Sequence, residues 1–178
     1  MTLRVARSLK FHCDAETAFG LIAATPPTIT LPQAWPTPGV TSFVGAKVWE
    51  QPGDGRHLTM NDGTVLNETL ISIDHDRSDL QLIKTTLTGF DGWFGRLLET
   101  AIVEWRAEAT SNSTCAVTWT VEFVPASERR APLLWMVVKP IWPRLLARGL
   151  RALSDQMVAS CAHPATMSNA PASVENAA

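Results

Sequence analysis

The feature that most constrains the fold is an amphipathic segment near the end of the chain, which follows a series of strand-like segments. Within residues 132–159, apolar side chains recur at helical spacing and charged side chains fill the opposite face. The apolar positions are Trp142, Leu146, Leu150, Leu153 and Met157, and the other face carries Arg144, Arg148, Arg151 and Asp155. Such a helix must bury its apolar face, and the preceding strands supply a surface for it. The pattern predicts an α+β domain with a sheet wrapped around one long helix, an arrangement that tends to enclose an apolar pocket.

Alternating apolar residues and turn signals predict seven strands. The last strand shows the pattern most clearly, because Val117, Trp119 and Val121 alternate with polar residues and so give one apolar face. The residues 61–63 (Asn-Asp-Gly) lie between two strand-like segments and are a strong hairpin signal. The predicted strands are residues 3–12, 40–50, 56–60, 64–74, 80–87, 100–109 and 116–124.

Short helices and a tail complete the prediction. Asp14 is expected to cap a helix that runs to residue 24, and a brief helical turn is expected at residues 31–35. Pro143 fits the first turn of the main helix, where its missing N–H leaves no helical hydrogen bond unmade. Residues 164–178 contain few large apolar side chains, so we expect a disordered tail after a folded domain of residues 1–163.

This order of elements resembles the START-like superfamily, also labelled SRPBCC, which includes polyketide cyclase/dehydrase-like and lipid-transfer proteins. The resemblance covers about residues 2–160 and rests on the element order and on loose local patterns: FHCDAETAF, VGAKVWE, NETLISIDHDRSDLQLI, EWRAEA and the final helix. It implies a helix-grip fold, in which a curved antiparallel sheet of about seven strands holds a C-terminal helix, with one or two short helices after the first strand. It also implies a hydrophobic cavity between sheet and helix.

The leading functional hypothesis is noncovalent binding or transport of a small hydrophobic ligand, such as a lipid, a polyketide or an aromatic metabolite, and the alternative is a cyclase or dehydrase acting in the same cavity. The predicted ligand-binding residues are Trp93, Phe94, Val103, Trp105, Trp119, Val121, Leu146 and Leu150. Trp135 and Trp142 are further candidates for the pocket or the core, and Trp49 is expected to lie farther from the mouth. Residues 88–96 are rich in glycine and aromatic residues, which indicates either a mobile apolar lid or an ordinary connector.

Glu68 is the candidate catalytic residue. It lies between Leu66 and Leu70 on the same side of a predicted strand, and a carboxyl group that faces an apolar cavity has a raised pKa and can act as an acid or a base. Glu99 shares its parity with Val103 and is a weaker candidate. For both residues we favour the alternative that strand twist or a bulge carries the carboxyl group to solvent at the rim. We therefore expect a binding protein rather than an enzyme.

Charge and motif content argue against several other functions. The formal net charge of −2 gives no reason to expect a nucleic-acid partner. The four histidines lack metal-binding spacing, and GxSxG, GxGxxG and Walker patterns are absent, so we expect no metal and no cofactor. Three widely separated cysteines, Cys13, Cys115 and Cys161, predict neither disulfides nor a zinc site. The charged N-terminal segment lacks the apolar core of a signal peptide, and we expect a cytoplasmic protein.

A cluster of positive charge suggests a third functional class. Residues 129–151 contain six arginine or lysine residues and no acid. The simpler interpretation is a solvated helix face beside an acidic sheet. The alternative is a peripheral module that makes weak contact with an anionic membrane surface, or with a partner, through the basic C-terminal helix.

Overall fold

The computed structural model describes residues 2–33 and 38–162, with side chains through residue 159. In these residues one antiparallel sheet of seven strands has the order β1-β7-β6-β5-β4-β3-β2. The strands are β1 (Leu3–Phe11), β2 (Val40–Gly45), β3 (Gly55–Met60), β4 (Val65–Asp74), β5 (Leu80–Thr88), β6 (Leu98–Ser111) and β7 (Thr114–Pro125). The helices are α1 (Ala15–Ala24), α2 (Pro27–Thr30), α3 (Gly92–Gly95) and α4 (Ala131–Ala162). The predicted α+β helix-grip fold is confirmed.

The short helices begin where local chemistry favours them. Asp14 caps α1 as predicted, since its Oδ1 accepts a hydrogen bond from the Thr17 backbone N–H at 2.7 Å and its Oδ2 accepts one from the Thr17 hydroxyl at 3.0 Å. The next helix begins at Pro27, a residue suited to the first helical position. This helix therefore lies before the turn that was predicted at residues 31–35. The last two residues of that predicted turn lie outside the described residues.

Strand β2 is shorter than predicted. It ends at Gly45 with φ of +120°, and residues 46–50 leave the sheet. The carbonyl groups of Ala46 and Lys47 accept hydrogen bonds from the side chain of Arg56 on β3 instead of from the backbone of that strand. This departure of the chain brings Trp49 inward, where it is buried.

The long helix begins earlier than predicted. Placing Pro143 in its first turn was wrong, because α4 starts at Ala131 and contains both Pro140 and Pro143 in its interior. Each of these prolines removes one backbone hydrogen bond from the helix. The segment before Pro143 is nonetheless helical because Leu134 and Val138 are fully buried, so that packing outweighs the lost hydrogen bonds. The predicted end of the domain at residue 163 and the tail of residues 164–178 lie outside the described residues.

Helix α4 lies over one half of the sheet, and this position creates the site. It packs on β1, β7 and α2. Gly149 allows the close approach, because a Cβ atom at this position would overlap the Thr30 carbonyl oxygen and the Trp119 ring. Helix α4 does not pack directly on the inner faces of β3, β4 and β5. A space is therefore left between these strands and the helix. Within the part of the chain that the structure describes, no helix is long and apolar enough to cross a membrane.

Two of the three cysteines meet in the folded chain. Cys13 follows β1 and Cys115 lies on β7, and their thiol groups are hydrogen-bonded. Burial raises the pKa of Cys115 to about 12, and the neighbouring Cys13 thiol adds to this effect. Cys115 is therefore a protonated core residue at neutral pH, as expected for an inert thiol.

Candidate ligand-binding site

A cavity of about 350 Å³ lies between the inner face of the sheet and α4. Its walls are mainly apolar. Strands β6 and β7 supply Ala101, Val103, Trp105, Trp119, Val121 and Phe123, and helix α4 supplies Val137, Ile141, Trp142 and Leu145. A concave apolar space of this size is typical of small-molecule sites.

The four predicted sheet residues come together in one wall. Val103 pairs with Val121 and Trp105 pairs with Trp119 across β6 and β7. The two indole rings stack, with 4.2 Å between centroids and an interplanar angle of 16°. Among the described residues, the indole Nε1 of Trp119 has no hydrogen-bond partner, and it is fully buried.

The predicted helix residues lie elsewhere. Leu146 and Leu150 do not line the cavity but are fully buried in the core. The reason is that α4 packs directly on β1 and β7, so the side of the helix with Leu146 and Leu150 meets the sheet itself. The cavity lies beside the neighbouring side, which carries Ile141 and Leu145. Helical periodicity predicts which face of the helix is buried. It does not predict which part of that face packs on the sheet and which part borders the cavity.

Aromatic residues of the segment 88–96 cover the mouth. The Phe94 ring stacks on Trp142 of α4, with centroids 5.7 Å apart, and meets Phe90 edge to face at 5.9 Å. Trp93 is 63% exposed at the rim. Gly95 is required for the tight turn, because a Cβ atom there would overlap the Phe90 carbonyl. Both predicted residues of this segment thus line the cavity, and movement of the segment as a lid stays a prediction.

Two other tryptophans are placed differently from expectation. Trp49 was expected to lie away from the mouth, but it is buried in the cavity wall because β2 ends early. Trp135 does not reach the cavity. It lies on the outer surface of α4 with 42% of its area exposed, and the Lys139 Nζ is 4.2 Å from its ring centroid.

Arg56 is a cavity residue that the sequence reasoning missed. It is only 4% exposed, and its guanidinium carbon lies 3.9 Å from the Trp49 ring centroid. Its Nε donates to the Ala46 carbonyl at 2.7 Å and a terminal nitrogen donates to the Lys47 carbonyl at 3.2 Å. Strand alternation could have predicted this position, because Arg56 and the buried Leu58 are two residues apart and so lie on the same face of β3.

Glu68 lies in the cavity wall, so the favoured alternative of a solvent-exposed rim position was wrong for this residue. Its Oε1 accepts a hydrogen bond from the Thr85 hydroxyl at 3.0 Å. Burial raises the pKa of the Glu68 carboxyl group, while nearby Arg56 and the Thr85 hydrogen bond oppose this effect. Glu99 is exposed, as favoured, because an irregularity at the start of β6 turns it outward.

The described residues contain no group of three or more histidine, cysteine or acidic side chains that could hold a metal ion. The polar groups of the cavity are instead few and separate. The charged groups are Arg56 and Glu68 in the interior and Asp62 and Asp91 at the exposed rim, and the neutral hydroxyl groups are those of Thr25, Thr30 and Thr64. Such an arrangement can orient one polar group of a molecule whose remaining surface is apolar.

The fold is shared with proteins of known structure whose sequences differ strongly from this one. The sequence matches no protein-family model and no curated protein. Norcoclaurine synthase from Thalictrum flavum, in complex with dopamine and hydroxybenzaldehyde, is 15% identical with a TM-score of 0.63, over 89% of this chain and 88% of that chain. Ara h 8.0201 is 15% identical with a TM-score of 0.64, over 89% of this chain and 99% of that chain. Zhui aromatase/cyclase from Streptomyces sp. R1128 is 15% identical with a TM-score of 0.60, over 90% of this chain and 96% of that chain. These similarities confirm the helix-grip fold.

Proposed function

We propose that this protein binds, and carries, one small hydrophobic molecule noncovalently in the cavity between its sheet and α4. The observation that carries the proposal is the space of about 350 Å³ lined mainly by apolar and aromatic side chains. The solved norcoclaurine synthase complex, which shares the fold, holds dopamine and hydroxybenzaldehyde. A lipid, a polyketide or another aromatic metabolite has the apolar surface that these walls would bury.

A neutral apolar fluorophore tests this function. N-phenylnaphthylamine should bind with saturation at about one site per chain, because concave apolar sites are few in a protein. Trp105→Ala and Trp119→Ala should change its affinity, whereas Trp135→Ala, which removes an exposed ring outside the cavity, is the matched control. Binding without saturation, or equal affinity in all three variants, would contradict the proposal.

Native mass spectrometry provides an independent test with no added probe. Purified protein should carry a noncovalent small molecule in part of the population, and Trp119→Ala should reduce that fraction. Fragmentation of the released molecule would give its chemical class.

Catalysis by Glu68 is the second candidate. The supporting observation is a carboxyl group in an apolar wall, where burial raises its pKa and so makes it a better base once it is ionised. In a dehydration, the Glu68 carboxylate would take the proton from the carbon beside a carbonyl group and return it to the departing β-hydroxyl group. The products would be the unsaturated carbonyl compound and one water molecule.

A comparison of binding and turnover separates carrier from enzyme. An enzyme should release one water per molecule from a β-hydroxy carbonyl compound, detected by mass spectrometry, and Glu68→Gln should abolish this loss while fluorophore binding remains. A carrier should return the compound unchanged in both forms. Unchanged turnover in Glu68→Gln would exclude the assigned role.

Weak contact with an anionic membrane is a further proposal for the basic surface of α4. Arg144, Arg148 and Arg151 are exposed along one side of the helix, and each cation near an anionic membrane contributes about 1 kcal/mol. Cosedimentation with phosphatidylserine vesicles should exceed that with phosphatidylcholine vesicles and fall with salt. If a triple Arg→Gln variant sediments like the parent protein, the basic face is only solvated.

A further inference from the structure

We infer that the ligand of this cavity is an apolar molecule with one carboxylate group, that Arg56 binds this carboxylate, and that Glu68 makes the binding depend on pH. The inference rests on the proposed function, because it names the chemical class that the same cavity accepts.

Arg56 has unused donor capacity inside the wall. A guanidinium group has five N–H donors, and two of those of Arg56 bind the carbonyl groups of Ala46 and Lys47. The flat face of the group covers the Trp49 ring. The other three N–H donors have no partner among the described residues, and they belong to a side chain that is almost fully buried and lines the cavity.

The buried guanidinium also lacks a direct counter-ion. Throughout residues 2–33 and 38–159, no carboxylate lies within ion-pairing distance of Arg56, and the three ion pairs there involve other arginines, whose side chains are more exposed. Glu68 lies opposite Arg56 on the next strand, but its Oε1 accepts its hydrogen bond from Thr85. A buried cation without an adjacent anion is unfavourable, so a site of this kind gains from an anion that arrives with the ligand.

Apart from Glu68, the other polar groups of the lining are neutral or lie at the rim. The hydroxyl groups of Thr25, Thr30 and Thr64 can each donate or accept a hydrogen bond. The acids Asp62 and Asp91 are exposed and border the cavity at its rim, so they do not neutralise the interior charge. Arg56 is therefore the one cation among the described lining residues, and most of the wall around it is apolar.

A single carboxylate matches this arrangement. Its two oxygens can accept paired hydrogen bonds from a guanidinium group, which is a strong and directional interaction. Its charge of −1 balances one arginine, whereas a doubly charged anion would leave uncompensated charge in an apolar wall. The hydrocarbon part of the molecule would then contact the side chains of β6, β7 and α4.

Glu68 links this binding to pH. A ligand carboxylate at Arg56 would lie near the carboxyl group of Glu68, and two adjacent negative charges repel each other. The complex should therefore favour the protonated form of Glu68. The charged groups that face this part of the cavity are Arg56 from β3 and Glu68 from β4, with Asp62 and Asp91 at the rim, so Glu68 is the nearest titrating group to the proposed carboxylate.

Competition between two matched ligands tests the inference on the unmodified protein. Dodecanoic acid and dodecanol have the same hydrocarbon chain and differ in the carboxylate, and each can displace bound N-phenylnaphthylamine below its aggregation concentration. At neutral pH we expect the acid to displace the probe at about one tenth of the alcohol concentration or less. Equal potency of the two compounds would overturn the inference, while the saturable probe binding itself would still support the proposed function.

Variants assign the effect to particular residues. Arg56→Met should abolish the preference for the acid, and Arg56→Lys should keep part of it as a check in case the methionine variant folds poorly. Arg7→Gln removes an exposed cation outside the cavity and should keep the preference in full. Retention of the preference in a folded Arg56→Met protein would overturn the role of Arg56.

The pH profile assigns the role of Glu68. In the wild-type protein the affinity for dodecanoate should fall as pH rises through the range in which Glu68 ionises, and affinity for dodecanol should not. In Glu68→Gln the dodecanoate affinity should be higher at alkaline pH and should no longer fall with pH. A Glu68→Gln profile identical to wild type would overturn the role of Glu68. Failure of the probe to bind any of these proteins would instead disprove the proposed function.

Discussion

Arg56 and Glu68 are paired across β3 and β4, yet their side chains form hydrogen bonds toward opposite edges of the sheet. Arg56 donates to the carbonyl groups of Ala46 and Lys47, which follow β2, and Glu68 accepts from Thr85 on β5. Two ionisable groups thus lie in one apolar wall without a direct ion pair. This relationship has consequences for stability as well as for ligand binding.

Glu68→Gln should stabilise the protein at alkaline pH. Burial raises the pKa of Glu68 above the usual value of about 4.3, so the folded state holds the proton more tightly than the unfolded state. Below the usual value both states are protonated and the wild-type stability is complete. As the pH rises through the pKa that Glu68 has in the folded state, the wild-type protein loses stability. The total loss is about 1.4 kcal/mol for each unit by which folding raises this pKa.

Thermal unfolding of both proteins between about pH 4 and pH 9 measures this effect. The difference in Tm in favour of Glu68→Gln should grow with pH. Glu99→Gln is the matched control, since Glu99 is exposed on the same sheet. A constant difference across the range would show that the Glu68 carboxyl group is solvated.

Gly149→Ala should destabilise the protein, although alanine normally favours a helix. Its Cβ atom would overlap the Thr30 carbonyl oxygen and the Trp119 ring, so α4 would have to move away from α2 and β7. Overpacking of this kind costs about 1–3 kcal/mol. Gly20→Ala in α1 is the control, because nothing lies within 4 Å of a Cβ atom there, and it should stabilise the protein by about 0.5–1 kcal/mol. Chemical denaturation measures the change in the free energy of unfolding for both variants. A change of the same sign in the two variants would contradict the packing at Gly149.

Leu150→Ala should reduce stability without changing ligand affinity. The side chain is fully buried in the core and does not line the cavity, so its truncation should cost about 2–5 kcal/mol. Ile141→Ala, on the cavity side of α4, should cost less, because the new space joins an existing cavity, and it should change the affinity for N-phenylnaphthylamine. Leu146→Ala should behave like Leu150→Ala. Denaturation and binding titrations of each variant measure both effects. A change of affinity in Leu150→Ala and none in Ile141→Ala would mean that the other side of α4 faces the cavity.

Phe94→Ala should accelerate exchange of ligand. The Phe94 ring lies between Trp142 and Phe90 at the mouth, and its removal would open the path to solvent. Stopped-flow measurements with N-phenylnaphthylamine should show faster association and faster dissociation, with a smaller change in the dissociation constant. Trp93→Ala removes an exposed ring from the same helix and should alter the rates less. Unchanged rates in Phe94→Ala would place the entrance elsewhere.

The fold was largely predictable because it depends on patterns that repeat locally. Alternation in β6 and β7 identified an apolar sheet face, and 3.6-residue periodicity identified the buried side of α4. The sheet residues that this alternation indicates, Val103, Trp105, Trp119 and Val121, lie in the cavity wall, and their contact with a ligand stays a prediction. The same alternation placed Glu68 on the apolar side of its strand. The favoured expectation that its carboxyl group reaches solvent at the rim was wrong.

Other features depend on contacts between segments that are distant in the sequence. The early end of β2 brings Trp49 under Arg56, and only the packed chain shows that both line the cavity. Likewise Gly149 sets how closely α4 approaches Trp119, and so decides that Leu146 and Leu150 meet the sheet while Ile141 meets the cavity. Local periodicity determines which side of an element is apolar. The tertiary structure decides whether that side meets another side chain or empty space, because this depends on the distance and angle between elements.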